Sequence, residues 1–254
     1  MSPEKTIKAT YYPLKQLDYI KSKRYDFNLE YVAALTSLLQ ASIIDDDLKN
    51  FNFANNELTI LFSESVGNPK KLNAIKAGGP MILSSYEASG FYLKSDNFIK
   101  FMENTFTIDE QIKNDHTIRD AYVLYSHYKA QSALRNNDIE KAKTIYETGF
   151  EISKPNLKNI AHGSVNYSLY EVMVVLKYVP ELYEIYFNEK NYKKLNKINR
   201  VYINNDISNL SKRDLKYINL LDMNSYKILK IYLKYFEEKK NNKKFNMVKS
   251  HIIK

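Results

Sequence analysis

The sequence predicts an all-α fold, a right-handed solenoid of helical hairpins. Apolar residues recur at the helical spacing of three and four positions along most of the chain. Short polar turns of similar composition separate successive helical runs, and hairpins of this kind bury their apolar faces by stacking on their neighbours. The 254 residues include only six Gly and six Pro, which disfavours an all-β fold with its many tight turns.

The N-terminal region is predicted to contain several helices. Pro13 should interrupt or kink the first of them, because proline lacks the backbone N–H that a helix interior needs. A wide apolar face predicts a helix over residues 27–44. The three aspartates at 45–47 should end that helix or cap the next one. A further short helix is predicted around residues 58–61, followed by a loop at 67–69.

Residues 78–80, Gly-Gly-Pro, are predicted to break the helical chain, since Gly and Pro are the residues least compatible with a helix interior. We therefore expect a soft boundary here. Residues 1–79 should form an N-terminal helical segment that is part of the solenoid or packs on it. Residues 80–254 should form the repeat domain, which ends in a capping and dimerisation helix.

The best-marked hairpin lies between Tyr122 and Pro155, where two helical runs meet at the polar turn 136–138. Small residues that let the two helices approach closely are Ala130, Ala142 and Gly149. Tyr146 is expected to fill the groove between the helices, and Pro155 to end the unit because it cannot continue a helix. Small residues, an aromatic residue and a closing proline in this order resemble a tetratricopeptide repeat. Ala133, however, stands where that repeat usually has a large aromatic side chain.

The polar turn recurs. Residues 93–101 and 187–195 have the same order as residues 134–142: an apolar helix end, several polar residues, then the apolar start of the next helix. The offsets of 41 and 53 residues are less regular than in an ideal repeat. Three stacked hairpins are predicted from this pattern, with the outer two spanning about 81–106 and 181–203.

Beyond the central hairpin, three helices are predicted in addition to the hairpin at 181–203. Pro180 should end a helix over 156–179, and Ser211 should cap a helix that reaches about Asp222. A long terminal helix over 226–239 is apolar nearly all round, so we expect it to be covered both by the solenoid and by a second subunit. The residues expected in this homodimer interface are Leu229, Tyr232, Leu233 and Phe236.

The charge and cysteine content bound the compartment and the partners. A net charge of +9 raises the affinity for any polyanion without specifying function. The densest lysine run, residues 238–244, is interpreted as a solvated helix end. No stretch approaches the ~20 apolar residues of a membrane span. The sequence has no Cys and begins without an apolar signal segment, so a cytoplasmic protein with no membrane partner is expected.

No arrangement of residues predicts catalysis or metal binding. The chain has four histidines, His116, His127, His162 and His251. Their spacing along the sequence is not that of metal ligands. The aspartates at 45–47 have no second acidic cluster to complete a cation site. We therefore predict a protein that is not an enzyme and that uses no metal and no cofactor.

Four blocks of the sequence, residues 84–86, 92–98, 118–122 and 134–152, carry a resemblance to a known family. Their composition and spacing resemble the tetratricopeptide-type peptide-pheromone receptors of Gram-positive bacteria and their phages, and among these the arbitrium receptors that set the lysis–lysogeny choice. Such receptors usually begin with a DNA-binding helix-turn-helix domain, for which residues 1–65 offer no substitute. Operator binding is therefore expected only if that domain is supplied. Whether the chain is a natural short form or a truncated one is left open.

The resemblance implies a peptide-binding site in the concave groove of the central hairpins. Gln131 and Arg135 fall on positions where the family places Asn, and Lys158 falls about where it places Arg. Asn166 lies near a further family Asn. These residues keep hydrogen-bonding capacity but change its kind, so the family's own peptide is not assumed to be the ligand.

Helical spacing adds further candidates to this groove. His127 lies four residues before Gln131, and therefore on the same stripe as Gln131 and Arg135. Aligning the three predicted turns adds Lys94, Glu184 and Asn188. The resulting surface would be basic near residues 94 and 135 and acidic near residue 184, which would orient a short peptide.

Three functions follow from these observations. The first is a non-enzymatic regulator that binds a short signalling peptide, for lysis–lysogeny or transcription control. The alternative is a helical-repeat interaction module that captures or inhibits a host protein without any small ligand. The third is a nucleic-acid binder that uses the basic surface.

Overall fold

The computed structural model describes residues 7–23, 29–103, 116–161, 169–219 and 225–253, and these residues are almost wholly helical, with no strand among them. Within helices, the side chains of residues 116–120, 153–161, 169–176, 202, 216–219 and 225 are not described. The prediction of an all-α fold is confirmed.

Twelve α-helices and one 3-10 turn make up the described part of the chain. The helices are α1 Tyr11–Ser22, α2 Leu29–Ile44, α3 Leu48–Ser65, α4 Pro69–Ala88, α5 Tyr92–Glu103, α6 His116–Arg135, α7 Ile139–Ala161, α8 Leu169–Asn188, α9 Tyr192–Ile203, α10 Lys212–Asn219, α11 Ser225–Glu238 and α12 Asn242–Ile252. The 3-10 turn, Ile207–Asn209, lies between α9 and α10. The predicted helix over 27–44 is confirmed as α2 within its described residues, and Ser211 accepts a hydrogen bond from the Asp214 backbone at the start of α10, 3.3 Å away.

The chain divides into two compact units, residues 1–128 and 129–254, so that α6 contributes to both. In the first unit, α2 packs against α1, α3 and α4, and α4 packs against α3 and α5. In the second unit, α8 packs against α7, α9 and α11, while α12 covers α11. Within each unit, most of the described helices therefore pack against near neighbours in the chain.

The Gly-Gly-Pro sequence at 78–80 does not break the chain, because α4 runs through it from Pro69 to Ala88. A Cβ atom on Gly78 would overlap the side chain of Val32 on α2, and one on Gly79 would lie 3.2 Å from Met102 Cε on α5. The glycines thus let α4 approach two helices closely. The packing of α4 against α2 and α5 stabilises the helix by more than the low helix propensity of these residues destabilises it. The prediction that residues 78–80 break the helical chain is therefore wrong.

The three prolines that were expected to interrupt helices all lie inside them. Pro13 occupies the third position of α1, where its missing N–H has no helical acceptor in any case. Helix α7 continues past Pro155 to Ala161, and α8 continues through Pro180. The side chains around Pro180 are fully buried, namely Tyr178, Val179, Leu182 and Tyr183. Their burial, about 1.5–3 kcal/mol for each large side chain, offsets the ~3 kcal/mol cost of an interior proline.

Five helices end in the same left-handed turn. The residue in the turn has a positive φ at Asp46, Gly90, Asn137, Lys190 and Lys240. At each turn, its N–H donates to the carbonyl three residues back, and the following N–H donates to the carbonyl five residues before itself. This pair of hydrogen bonds is the Schellman C-cap, which favours Gly or Asn at the left-handed position.

In four of these turns the residue after the left-handed position caps the next helix with its side chain. The capping residues are Asp47, Asp138, Asn191 and Asn241, each of which accepts a hydrogen bond from the backbone N–H three residues on, at 3.0–3.2 Å. One short sequence therefore ends a helix and starts the next. The expectation that the aspartates at 45–47 act at a helix boundary is confirmed.

The turns correct the predicted register of the repeats. The turn of the first hairpin is at Gly90, not at 94–97, so Lys94 lies within α5. Gly90 and Asn137 are 47 residues apart, whereas the sequence alignment assumed 41. Residues 238–244, predicted to be a solvated helix end, contain the turn at Lys240, and α12 follows that turn.

Candidate functional site

Helix α11 is covered by other helices of the same chain. Its apolar residues, from which a dimer interface was predicted, are therefore already buried without a second subunit. Leu229, Tyr232 and Phe236 are at most 3% exposed, and Leu233 is half-buried. Helices α8 and α12 pack on α11. The wide apolar surface of α11 therefore reflects a core position between two neighbouring helices, and these residues belong to the core of the second unit.

A buried polar cluster joins α8, α9 and α11. The hydroxyls of Tyr183 and Tyr232 both donate to Oδ1 of Asn199, and Asn199 Nδ2 donates to the carbonyl of Asn205 at 2.6 Å. All three side chains that form the cluster are fully buried. Because every buried polar atom named here has a partner, the cluster fixes the relative positions of the three helices rather than offering a site for a ligand.

Next to this core, α8 and α11 present stripes of opposite charge. Glu181 and Glu184 on α8 both accept from Lys227 Nζ on α11, at 2.9 and 2.6 Å. Burial alone lowers the pKa of Lys227, but the hydrogen bond to Glu184 and the charges of both carboxylates outweigh it, so the pKa is raised. Lys230 and Lys234 continue the α11 stripe at helical spacing and are exposed.

The register of the turns relates these stripes to α6. Gln131, Glu184 and Lys234 each lie six residues before a left-handed turn residue, at 137, 190 and 240 respectively. They therefore occupy equivalent positions on α6, α8 and α11. Arg135 and Asn188, both exposed, occupy equivalent positions one helical turn further on. We call the set Gln131, Arg135, Glu181, Glu184, Asn188, Lys227, Lys230 and Lys234 the polar face.

Gln131 is held by Tyr146, the side chain predicted to fill the groove of the central hairpin. Gln131 Nε2 donates to the Tyr146 hydroxyl at 2.7 Å. Tyr146 is fully buried and its ring contacts that of Tyr178 on α8, with 5.1 Å between the ring centroids. Burial, and then the charge of Glu181, raise the pKa of Tyr146. Gln131 therefore keeps its Oε1 as an acceptor next to the acidic stripe, with no partner for that atom among the residues that the structure describes.

Gly149 also has a different partner from the one predicted. It was expected to let α6 and α7 approach each other. A Cβ atom at this position would instead overlap the ring of Tyr178, so the glycine accommodates α8. Ala130 and Ala142 are fully buried, as the hairpin prediction requires.

Of the remaining predicted site residues, two belong to the first unit and two have side chains outside the described part of the structure. Lys94 and His127 belong to the first unit. Lys94 Nζ donates to Asn55 Oδ1 at 3.1 Å, and His127 is 7% exposed beside the ring of Tyr128. Lys158 lies in α7, but its side chain is outside the described residues, as is the whole of Asn166.

A second set of ion pairs lies between α7 and α9. Glu147 accepts from Lys194 at 2.7 Å and from the Tyr186 hydroxyl at 2.5 Å. Glu151 accepts from Lys197 at 3.0 Å. These exposed pairs join two helices that already pack together and are of the kind that contributes little to stability. They provide a matched control surface for the polar face.

The polar face can bind a ligand by charge and hydrogen bonds. Among the described residues, no group of three or more His, Asp or Glu side chains could hold a metal ion. No helix in the described segments is long and apolar enough to cross a membrane. What the face offers is two side-chain amides, two carboxylates, one guanidinium and three ammonium groups, all on residues of the second unit.

The sequence predicted four members of this face, namely Gln131, Arg135, Glu184 and Asn188, but missed Glu181 on α8 and the three lysines on α11. The signal was present: Lys227, Lys230 and Lys234 follow helical spacing, and the turn at Lys240 places α11 in register with α8. Scans of family models, of curated proteins and of solved structures found no match to this chain.

Proposed function

We propose that this protein is a non-enzymatic regulator, a tetratricopeptide-like solenoid that binds a short peptide on its polar face. The observation that carries the proposal is the ion pair between Lys227 and the two carboxylates of α8. It brings together oppositely charged stripes from two consecutive hairpins. Peptide-binding surfaces need such groups, because an extended peptide has charged ends and an unpaired backbone.

The charge of the face gives the peptide a direction. Glu184 is exposed on α8 and would attract the amino terminus or a basic side chain. Lys230 and Lys234 on α11 would attract the carboxyl terminus or an acidic side chain. Gln131 Oε1, next to the acidic stripe, would accept a hydrogen bond from a peptide N–H. A hydrogen bond to a charged group contributes about 1.5–3 kcal/mol, so two or three such contacts are sufficient for micromolar affinity only if the peptide also buries apolar atoms.

The regulatory role rests on the resemblance of residues 84–152 to the peptide-pheromone receptors of Gram-positive bacteria and their phages. In this proposal the protein acts in the cell that receives the peptide. Capture of a host protein segment by the same face is the second candidate, since a protein segment and a free peptide share the chemistry that the face offers.

Selection from a random hexapeptide library on the immobilised 254-residue chain tests the proposal. We expect the enriched peptides to carry a basic residue towards one end and an acidic residue or free carboxylate at the other. The Lys230→Gln/Lys234→Gln variant should lose these peptides, while Lys194→Gln/Lys197→Gln, which changes the charge by the same amount on the α7–α9 surface, should retain them. Enrichment of no sequence, or equal retention by both variants, would contradict peptide binding at this face.

A further inference from the structure

The last two hairpin turns of the chain repeat one lysine-rich sequence. Residues 190–195 read Lys-Asn-Tyr-Lys-Lys-Leu and residues 240–245 read Lys-Asn-Asn-Lys-Lys-Phe. In both, the first Lys is the left-handed turn residue and the Asn caps the next helix. The central turn differs, because Asn137 and Glu140 replace the first and second Lys. The positive charge is therefore concentrated on the two C-terminal turns.

The two lysine-rich turns lie side by side. The Tyr192 hydroxyl donates to Glu238 Oε2 at 2.6 Å, and the Tyr192 ring lies 5.3 Å from that of Tyr235. Lys239 Nζ lies 4.6 Å from the centre of the Tyr192 ring. Tyr192 thus connects the turn before α9 to the turn before α12, and the equivalent lysines of the two turns are brought to one edge of the second unit.

Two of the six lysines in these turns have side-chain partners within the protein, and four do not. Lys194 pairs with Glu147, and Lys244 donates to the carbonyls of Ser208 and Leu210 at 2.7 and 2.9 Å. The side chains of four other lysines are exposed and make no hydrogen bond or ion pair with the residues described by the structure. These four, which we call the lysine edge, are Lys190, Lys193, Lys240 and Lys243.

We propose that the lysine edge binds the phosphate backbone of nucleic acid without reading base sequence. The two turns present the same charges in the same geometry, and a sugar–phosphate backbone is a partner whose charge also repeats. No large apolar side chain is exposed between residues 189 and 195 or between 239 and 245. A protein partner usually requires such anchors, whereas phosphate contacts gain affinity from counterion release. This site is separate from the polar face and does not depend on peptide binding.

Fluorescence anisotropy with a labelled, mixed-sequence DNA duplex tests this proposal on the whole 254-residue chain. The test variant replaces all four lysines of the lysine edge with Gln. The matched control replaces four exposed lysines elsewhere, Lys15, Lys49, Lys70 and Lys100, so both variants have a net charge lower by four. Circular dichroism checks that both remain helical.

We expect the wild type and the control to bind the duplex and the lysine-edge variant to lose binding. For a protein that makes four phosphate contacts, raising the salt from about 50 to about 200 mM weakens binding about a hundredfold. Removing the four lysines should make the slope of log K against log[salt] less steep by about 3 to 4. A wild type that fails to bind the duplex at about 50 mM salt would overturn the proposal, as would equal losses in the two variants. Tighter binding of poly-glutamate than of DNA at equal charge concentration would instead assign the edge to an acidic protein.

Discussion

The hydroxyls of Tyr183 and Tyr232, on helices α8 and α11, donate hydrogen bonds to one atom, Oδ1 of Asn199 on α9. The three side chains are fully buried. One amide therefore satisfies the tyrosines of two successive hairpins. The arrangement fixes the spacing of α8 and α11, and it is on these two helices that the acidic and basic stripes of the polar face lie.

Replacing Asn199 with Ala should lower the free energy of unfolding by about 2–4 kcal/mol, because two buried hydroxyls lose their acceptor, at about 1–3 kcal/mol each, and can pair only with each other. Urea denaturation measures this change. Adding Tyr183→Phe and Tyr232→Phe should recover part of the loss, since no hydroxyl is then left unpaired. A single variant as stable as the wild type would show that the cluster contributes nothing.

Leu229→Asp should unfold the second unit rather than convert a dimer to a folded monomer. Leu229 is 3% exposed in the single chain, and a buried unpaired carboxylate destabilises by several kcal/mol. Circular dichroism and size-exclusion chromatography distinguish the outcomes. Lys234→Asp, on the exposed side of the same helix, is the control and should remain folded. If the wild type is a dimer and the Leu229→Asp variant is a monomer that remains helical, the prediction of a dimer interface on α11 is correct instead.

Gly78→Ala should destabilise the first unit by about 1–3 kcal/mol, because the new Cβ overlaps the side chain of Val32 and the core is overpacked. Gly79→Ala is the matched control. Its Cβ meets the flexible end of Met102 at 3.2 Å, and the better helix propensity of Ala offsets the strain. Thermal unfolding compares the two, and Val32→Ala should rescue Gly78→Ala. Equal melting temperatures for both glycine variants would contradict the close approach of α2 and α4.

The carboxylate of Asp45 should make the attachment of α1 depend on pH. It accepts from the backbone N–H groups of Ala9 and Thr10 and from the Thr10 hydroxyl, at 2.8–3.1 Å. The hydrogen bond from the Thr10 backbone is the largest cause that holds its pKa below the ordinary value. The stabilisation is present above the unfolded-state pKa of about 3.9 and is lost as the pH falls through the lower folded-state pKa.

Amide hydrogen exchange in α1 at several pH values measures this effect. Asp45→Asn should increase amide hydrogen exchange in α1 at neutral pH. The difference in exchange between this variant and the wild type should shrink as the pH falls below the ordinary aspartate pKa. Asp18→Asn, on α1 itself, is a control with the same change of charge. A difference between Asp45→Asn and the wild type that stays constant across this range would show that the charge of Asp45 is not what holds α1.

The class of fold could be predicted from the sequence because amphipathic period and polar turns are local signals. The continuation of α4 through Gly78 and of α8 through Pro180 could not, since both helices are buried there against helices distant in sequence. Gly78 shows this most plainly: the same residue that weakens a helix in isolation permits α4 to contact Val32 on α2. Predictions from local helix propensity are wrong where burial in the tertiary structure stabilises the helix by more than the low propensity destabilises it.

The candidate site was predicted in part for a related reason. Glu184 and Asn188 could be found because their turn at Lys190 matches the turn at Asn137. Lys94 was placed by an alignment that put the first turn six residues too late. Lys227 was missed because the lysines at 239–244 were read as a helix end, although the repeat of the 190–195 sequence identifies a further turn.

Isothermal titration calorimetry with a peptide selected on the wild-type protein tests the central claim most directly. Glu184→Gln removes the exposed carboxylate of the polar face, and Glu151→Gln removes one from the α7–α9 surface. We predict that Glu184→Gln weakens binding by about 1.5–3 kcal/mol, the contribution of a hydrogen bond to a charged group, with an unchanged melting temperature, and that Glu151→Gln binds as the wild type does. Equal affinities for all three proteins would contradict peptide binding at the polar face.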